Sequence, residues 1–391
     1  MTILDSSGPT HSHRVWLLLA ALLIGSATAS CQASLPAPQA LDDDAFQQVS
    51  SRLSESPGYF DTDNLISNET SYQHALSGLP RGAGEGRAYL GVGPGQNFTY
   101  IAHLRPHTAI ILDVRRDNQL FHLYWKELFR RSANRVEFLS HALARPLEPR
   151  SRPPGSEADA ASLVRFFHHL PPDEEFYRQQ LESIFDSLRS RFPKLVEKAD
   201  KGALRRLSLP FARQGLSLRF ASHGRRPRSF YPTYGQLILA SDLEGRRGHF
   251  LEREEDYRFL KKMQDENRII PVVGDFSGPH ALKAVGSYLS RHDLKVTAFY
   301  LSNVEFYLFI NGVFDEFAQN LEALPVDENS FLIRTHFGNA GIHAEARPGH
   351  FVTCLLQSAS SFLRHHRREP YRSYWDLVNR DYIPLSTQSR E

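Results

Sequence analysis

The chain has 391 residues, 41% of them hydrophobic and 11% aromatic, which is enough to bury a sizeable core. Its net charge of +2 gives no argument for nucleic acid or a membrane surface, and its two cysteines, Cys31 and Cys354, exclude a disulfide framework and a thiolate zinc site. Of the 46 basic residues only eight are lysine; arginine suits anion recognition, but base composition produces the same bias.

The N-terminus reads as an export signal. Arg14 precedes the apolar run "VWLLLAALLI" and the small-residue stretch "GSATASCQAS", too short for a spanning helix of roughly 20 residues. Cleavage after "ATA", lipidation at Cys31 in the lipobox-like "TASC", and an uncleaved anchor are the three processing routes. All three carry the remainder out of the cytoplasm, leaving the membrane as a partner only through this signal or its lipid. If the signal assignment fails, the protein is cytoplasmic. Residues 1–31 are thus set apart as signal and 32–44 as linker; 45–391 form one α/β domain.

A helix is expected over Ala45–Arg52. The polar Ser54–Tyr72 segment, with Asp61, Asp63, Asn64, Asn68 and Glu69, either caps the sheet edge or closes over a site; its spacing does not meet a calcium loop. "ALSGLPRGAGEG" is a loop, "AYLGV" a strand, "NFTYIAHL" a helix, and "TAIILDV" a strand covered on both faces. One helical pattern runs from Asn118 to Leu143. A Pro-rich break then opens a largely helical insertion at about 147–264. The strand pattern returns at "RIIPVVGDFSG", "KVTAFYLS", "SFLIRTHFG" and "HFVTCLLQ". Strands alternating with helices argue for an α/β fold with a mostly parallel sheet.

The chemistry concentrates at strand ends. Gly91, Gly93 and Gly95 form a Gly-x-Gly-x-Gly turn between a strand and a helix, where backbone amides face a ligand or where the chain merely bends. The dinucleotide fingerprint needs its third glycine at position 96, which is Gln96, so a nicotinamide or flavin site is disfavoured. Asp113 ends the next strand, 22 positions after Gly91. Asp275 follows the third strand, where it either meets a ligand or starts a turn. "FYLSNVEFYL" sets Tyr300, Ser302, Asn303 and Glu305 at the end of the fourth strand. There Glu305 suits a general base and Asn303 an orienting group, or Ser-Asn simply caps the next helix. Arg334 and His336 suit an anionic acceptor or proton transfer, with a core-satisfied pair the simpler alternative. No metal-ligand spacing is present.

"GYFDTDNLISNE", "YLGVGPGQNFTYIA", "LDVRRDN", "IIPVVGDFSGP" and "FYLSNVEFYL" together resemble an uncharacterised bacterial family with a Rossmann-like, S-adenosylmethionine-dependent methyltransferase-type fold. The resemblance covers most of the chain after residue 45. It implies an S-adenosylmethionine pocket built from Gly91, Gly93, Gly95, Asp113 and Asp275, with Tyr300, Asn303 and Glu305 beside the chemistry. The acceptor it implies is an unknown small molecule or envelope component. Two features depart from the wider methyltransferase pattern. The acid usual two positions before the first glycine is Tyr89 here, and export separates the domain from a cytoplasmic methyl donor. The alternative is a non-catalytic, envelope-tethered binding or scaffold protein that keeps the fold.

Overall fold

Continuous apolar strands need cover on both faces, and the chain supplies it with helices. The computed structural model describes residues 40–148, 150–223, 225, 228–338 and 341–385. The export signal, Cys31 and the linker as far as residue 39 lie outside the described residues.

Helix α1 (Asp43–Leu53) starts two residues earlier than the linker boundary implies, because the Asp42 carboxylate accepts the amide of Ala45 and caps it. Strand β1 (Gly84–Gly91), helix α2 (Gln96–Leu104), strand β2 (Pro106–Asp113) and helix α3 (Arg116–Arg131) follow. Strand β1 absorbs Gly84–Gly86, which read as loop in the sequence. The long helical pattern after β2 divides: α3 stops at Arg131, and α4 (Arg135–Leu143) restarts where Asn134 accepts the amide of Glu137.

Helices α5 (Ala160–His168), α6 (Glu174–Arg191), α7 (Lys201–Gln214), α8 (Tyr234–Leu239) and α9 (Glu254–Asp265) fill the connection to strand β3 (Ile269–Val273). Helix α10 (Ala281–Arg291), strand β4 (Lys295–Ser302), helices α11 (Val304–Ile310) and α12 (Phe314–Glu322), and strand β5 (Phe331–Phe337) come next. Strand β6 (Val352–Ser358), helices α13 (Ala359–Arg368) and α14 (Tyr374–Asn379), and the short strand β7 (Tyr382–Ile383) complete the described chain.

The seven strands form one open α/β sheet in the order β3-β2-β1-β4-β5-β6-β7. Strands β1 to β5 run parallel, β6 opposes β5, and β7 opposes β6. The chain winds outward from β1 to β3 and then reverses to β4 on the other side of β1. At such a reversal the loops leave in opposite directions and open a crevice at the carboxyl ends of the strands. The register aligns those ends, pairing Gly91 with Tyr300 and Asp113 with Val273. Helix α3 is buried on nearly every side from Asn118 to Phe129, since helices α6, α7 and α9 cover the face it turns away from the sheet. Its aromatic residues lock this layer: Phe129 stacks on Tyr257 and Trp125 on Phe138. Among the described residues no helix is long and apolar enough to cross a membrane.

Candidate functional site

The crevice is occupied by a cleft of about 380 Å³, bounded by residues at the carboxyl ends of β1, β2, β3, β4 and β5. The Ser54–Ser71 segment runs across these strand ends, as expected of a segment that closes over a site. Its backbone is tied down along the way. The Glu55 amide donates to Val273 O (2.9 Å), the Gly58 amide to Val114 O (2.8 Å), and Arg115 Nη1 to Thr62 O (2.9 Å). At its far end Ser71 Oγ donates to Val352 O of β6 (2.8 Å).

The glycine turn sits under the cleft, which Gly93 reaches and Gly91 and Gly95 do not. Only Gly93 needs glycine for its backbone, at φ +79°. Gly91 is needed for space: a Cβ there would lie 2.0 Å from Asn97 Oδ1. The buried Asn97 amide nitrogen donates to Val92 O, Gly93 O and Pro94 O at 2.9, 3.1 and 2.7 Å, while its oxygen accepts from Tyr89 Oη at 2.8 Å. His122 Nε2 lies 2.9 Å from Gly93 O, and burial pushes its pKa down to about 4. The ring is therefore neutral near pH 7 and donates from Nε2. Tyr89 thus braces the turn from below and does not line the cleft.

Asp113 reaches the cleft, but its carboxylate is already engaged. Oδ1 accepts from the Arg115 amide and Nε, both at 2.9 Å, and Oδ2 accepts from Nη2 at 2.7 Å. Both side chains are buried. Asp275 is exposed on the cleft and its Oδ1 accepts from Ser277 N and Oγ, both at 2.8 Å, so it starts a turn as well as facing the space.

The end of β4 carries the most unusual chemistry. Ser302 has φ +53°, a left-handed conformation that costs a non-glycine residue on the order of 1–3 kcal/mol, at an irregularity in the β4–β5 pairing. That twist aims its hydroxyl at Glu69, to which it donates. Tyr300 Oη and Thr335 Oγ1 also donate to Glu69, both to Oε2 at 2.7 Å. Glu69 lines the cleft, is 1% exposed, and has no cationic partner among the described residues. Burial raises its pKa above the ordinary carboxylate range, and the three hydroxyl donors only partly offset this. Gln96 Nε2 reaches Tyr300 Oη at 3.4 Å, and its Oε1 is buried without a partner.

The structure separates the other residues of the fourth strand end. Asn303 lines the cleft, next to Ser302. Tyr300 touches it only through Glu69 and Gln96. Glu305 is turned away: it is fully buried, and its carboxylate receives Arg334 Nε and Nη2 at 2.7 and 3.0 Å. Helix α11 begins at Val304, and the turn carries the next side chain back against the sheet, where a buried ion pair replaces the proposed general base. Arg334 and His336 are likewise core groups; His336 Nε2 meets Gly341 O at 2.9 Å. Among the described residues no group of three or more potential ligands has metal-site geometry.

Glu69 was visible in the sequence only as one member of the polar cluster before the glycine turn. Its hydroxyl partners lie 231 to 266 positions away, beyond the reach of any spacing rule. The family model described as Domain of unknown function (DUF7790) matches residues 65–146 and 178–383, more than half of the chain, and the chain belongs to that family. The match includes Glu69 and every strand, and omits the Pro-rich break and α5. None of the curated proteins matches the chain.

Proposed function

We propose that this member of the DUF7790 family is a methyltransferase-like α/β protein that binds a small organic molecule in the strand-end cleft, with Glu69 anchoring it or exchanging a proton with it. One observation carries this reading: Glu69 is a buried carboxyl group on the cleft, held by three hydroxyls and, among the described residues, by no cation. Burying such a group unpaired costs several kcal/mol, so the fold keeps it at the expense of stability. A carboxyl whose pKa burial raises holds its proton more readily than an ordinary carboxylate, which suits it to giving and taking a proton. Infrared difference spectra of the full chain against Glu69→Gln test it. A neutral-acid carbonyl band that titrates above the ordinary carboxylate range and is missing from the variant is expected. Titration of Glu69 in the ordinary range refutes the proton-handling role.

The strand order, the glycine turn at the reversal, and acids after β2 and β3 favour the Rossmann-like methyltransferase reading and hence S-adenosylmethionine as ligand. The cleft residues, as held, do not fit that cofactor in full. A ribose would need two acceptor positions on Asp113, and Arg115 holds both oxygens, one of them twice. Calorimetric titration of the full chain with S-adenosylmethionine and S-adenosylhomocysteine decides. Heat of binding supports methyl transfer to an unknown acceptor. No heat at high micromolar ligand with the fold intact removes it, and favours a non-catalytic, envelope-tethered module that keeps the fold.

A further inference from the structure

We propose that the molecule taken by the cleft carries an organic cation, a primary or methylated ammonium group, seated between Glu69 and an aromatic wall. This rests on the reading that the cleft binds a small molecule, and names the class of that molecule.

The first observation is the charge balance. Among the described residues, the titratable side chains around Glu69 are phenols and a thiol, neutral near pH 7. Tyr300 on β4, Tyr100 on α2 and Tyr374 on α14 are phenols raised well above their ordinary value by burial. The Cys354 thiol on β6 is pushed up to about 12. Of the arginines that line the cleft, Arg115 pairs with Asp113 and Arg225 with Asp61, while the exposed Arg228 lies over the Phe230 ring at 5.7 Å, away from the Glu69 carboxylate's hydroxyl donors. Asp275 adds a second carboxylate with no cationic partner among the described residues. A carboxylate accepts about four hydrogen bonds, and Glu69 Oε1 receives one side-chain donor, so acceptor capacity remains.

The second observation is the wall. From Tyr374, whose hydroxyl donates to Thr335 O beside Glu69, aromatic rings follow one another along the cleft. Tyr374 meets Phe306 at 5.6 Å, Phe306 meets Tyr307 at 5.4 Å, and Tyr307 meets Phe60 of the closing segment at 5.1 Å. Ring faces attract a cation, most strongly where water is excluded, and together with one carboxylate they recognise ammonium groups. A neutral ligand would leave an ionised Glu69 uncompensated, and an anionic one would oppose it.

The test compares choline with its uncharged isostere 3,3-dimethylbutan-1-ol, by calorimetry and ligand-observed NMR on the full chain at pH 8. Choline is expected to bind about tenfold more tightly than the isostere. Glu69→Gln should remove that preference, and choline binding should weaken as pH falls and Glu69 takes up its proton. Tyr307→Leu provides a second variant that leaves the carboxyl untouched; it should weaken choline more than the isostere. Equal binding of the two compounds, a preference that survives Glu69→Gln, or no binding of choline overturns the inference. Binding of the isostere alone would overturn it while leaving the cleft as a small-molecule site. Failure of both compounds together with ordinary titration of Glu69 would remove the proposed function as well.

Discussion

Replacing Asp113 with alanine separates a ligand-binding acid from a structural one. The substitution leaves the Arg115 guanidinium, whose side chain is 7% exposed, with Thr62 O as its hydrogen-bond acceptor among the described residues and only the more distant charges of Asp117 and Asp63. Removing one member of a buried pair costs about 3–5 kcal/mol, because the surviving charge has lost its compensation. Unfolding entropy of about 2.1 cal/mol/K per residue, over the 340 described residues, amounts to about 0.7 kcal/mol/K. The melting temperature should then fall by about 4–7 °C, measured by circular dichroism on the full chain. Arg115 also ties down the closing segment at Thr62, so limited proteolysis between Ser54 and Ser71 should accelerate. The double variant Asp113→Leu/Arg115→Met removes both charges and should recover most of the loss. A melting temperature for Asp113→Ala within about 1 °C of the parent would refute the clamp and return the carboxylate to the ligand.

Two further outcomes follow from groups beneath the cleft. The folded pKa of His122, about 4, lies below the ordinary imidazole value of 6.5, so between these values the unfolded chain binds a proton that the folded chain refuses. Stability should drop by about 3 kcal/mol as pH falls through that window, and urea titrations of His122→Gln should show a shallower slope; an unchanged slope contradicts the assignment. Gly91→Ala drives a methyl into the Asn97 amide and should cost about 2 kcal/mol or more. Because Asn97→Ala breaks the same contacts, chemical denaturation of the double variant should show less than the sum of the two losses, and strict additivity would argue against a shared clamp.

The strand ends were legible because parallel strands buried on both faces leave continuous apolar runs, as "TAIILD" does in β2. The break between α3 and α4 was missed because periodicity continues across it; only the Asn134 cap marks the restart. Gly93, Asp113, Asp275 and Asn303 could be assigned to one crevice since each follows a strand at the end where α/β sheets gather their loops. What a residue's neighbours do to it was not legible. Nothing in "LDVRRDN" says that Arg115 will fold back on Asp113, and nothing in "SNVE" says that one helical step will carry Glu305 out of the crevice and onto Arg334.

Glu305 and Glu69 show why burial alone does not identify a functional carboxylate. Both are buried, and burial raises both. Glu305 has a two-pronged arginine, which Gln357 helps to hold in place, so its charge is balanced inside the fold and it asks nothing of a ligand. Among the described residues Glu69 has hydroxyls as its side-chain partners, one of them presented by a residue held in a left-handed conformation. Hydroxyls hydrogen-bond a carboxylate without neutralising it, so the compensating proton or cation has to come from outside the protein. The cleft is where it would arrive. Local costs at Glu69 and Ser302, balanced by no cationic partner among the described residues, are what support the proposal that this strand end is the functional one, whereas Glu305 is balanced within the core.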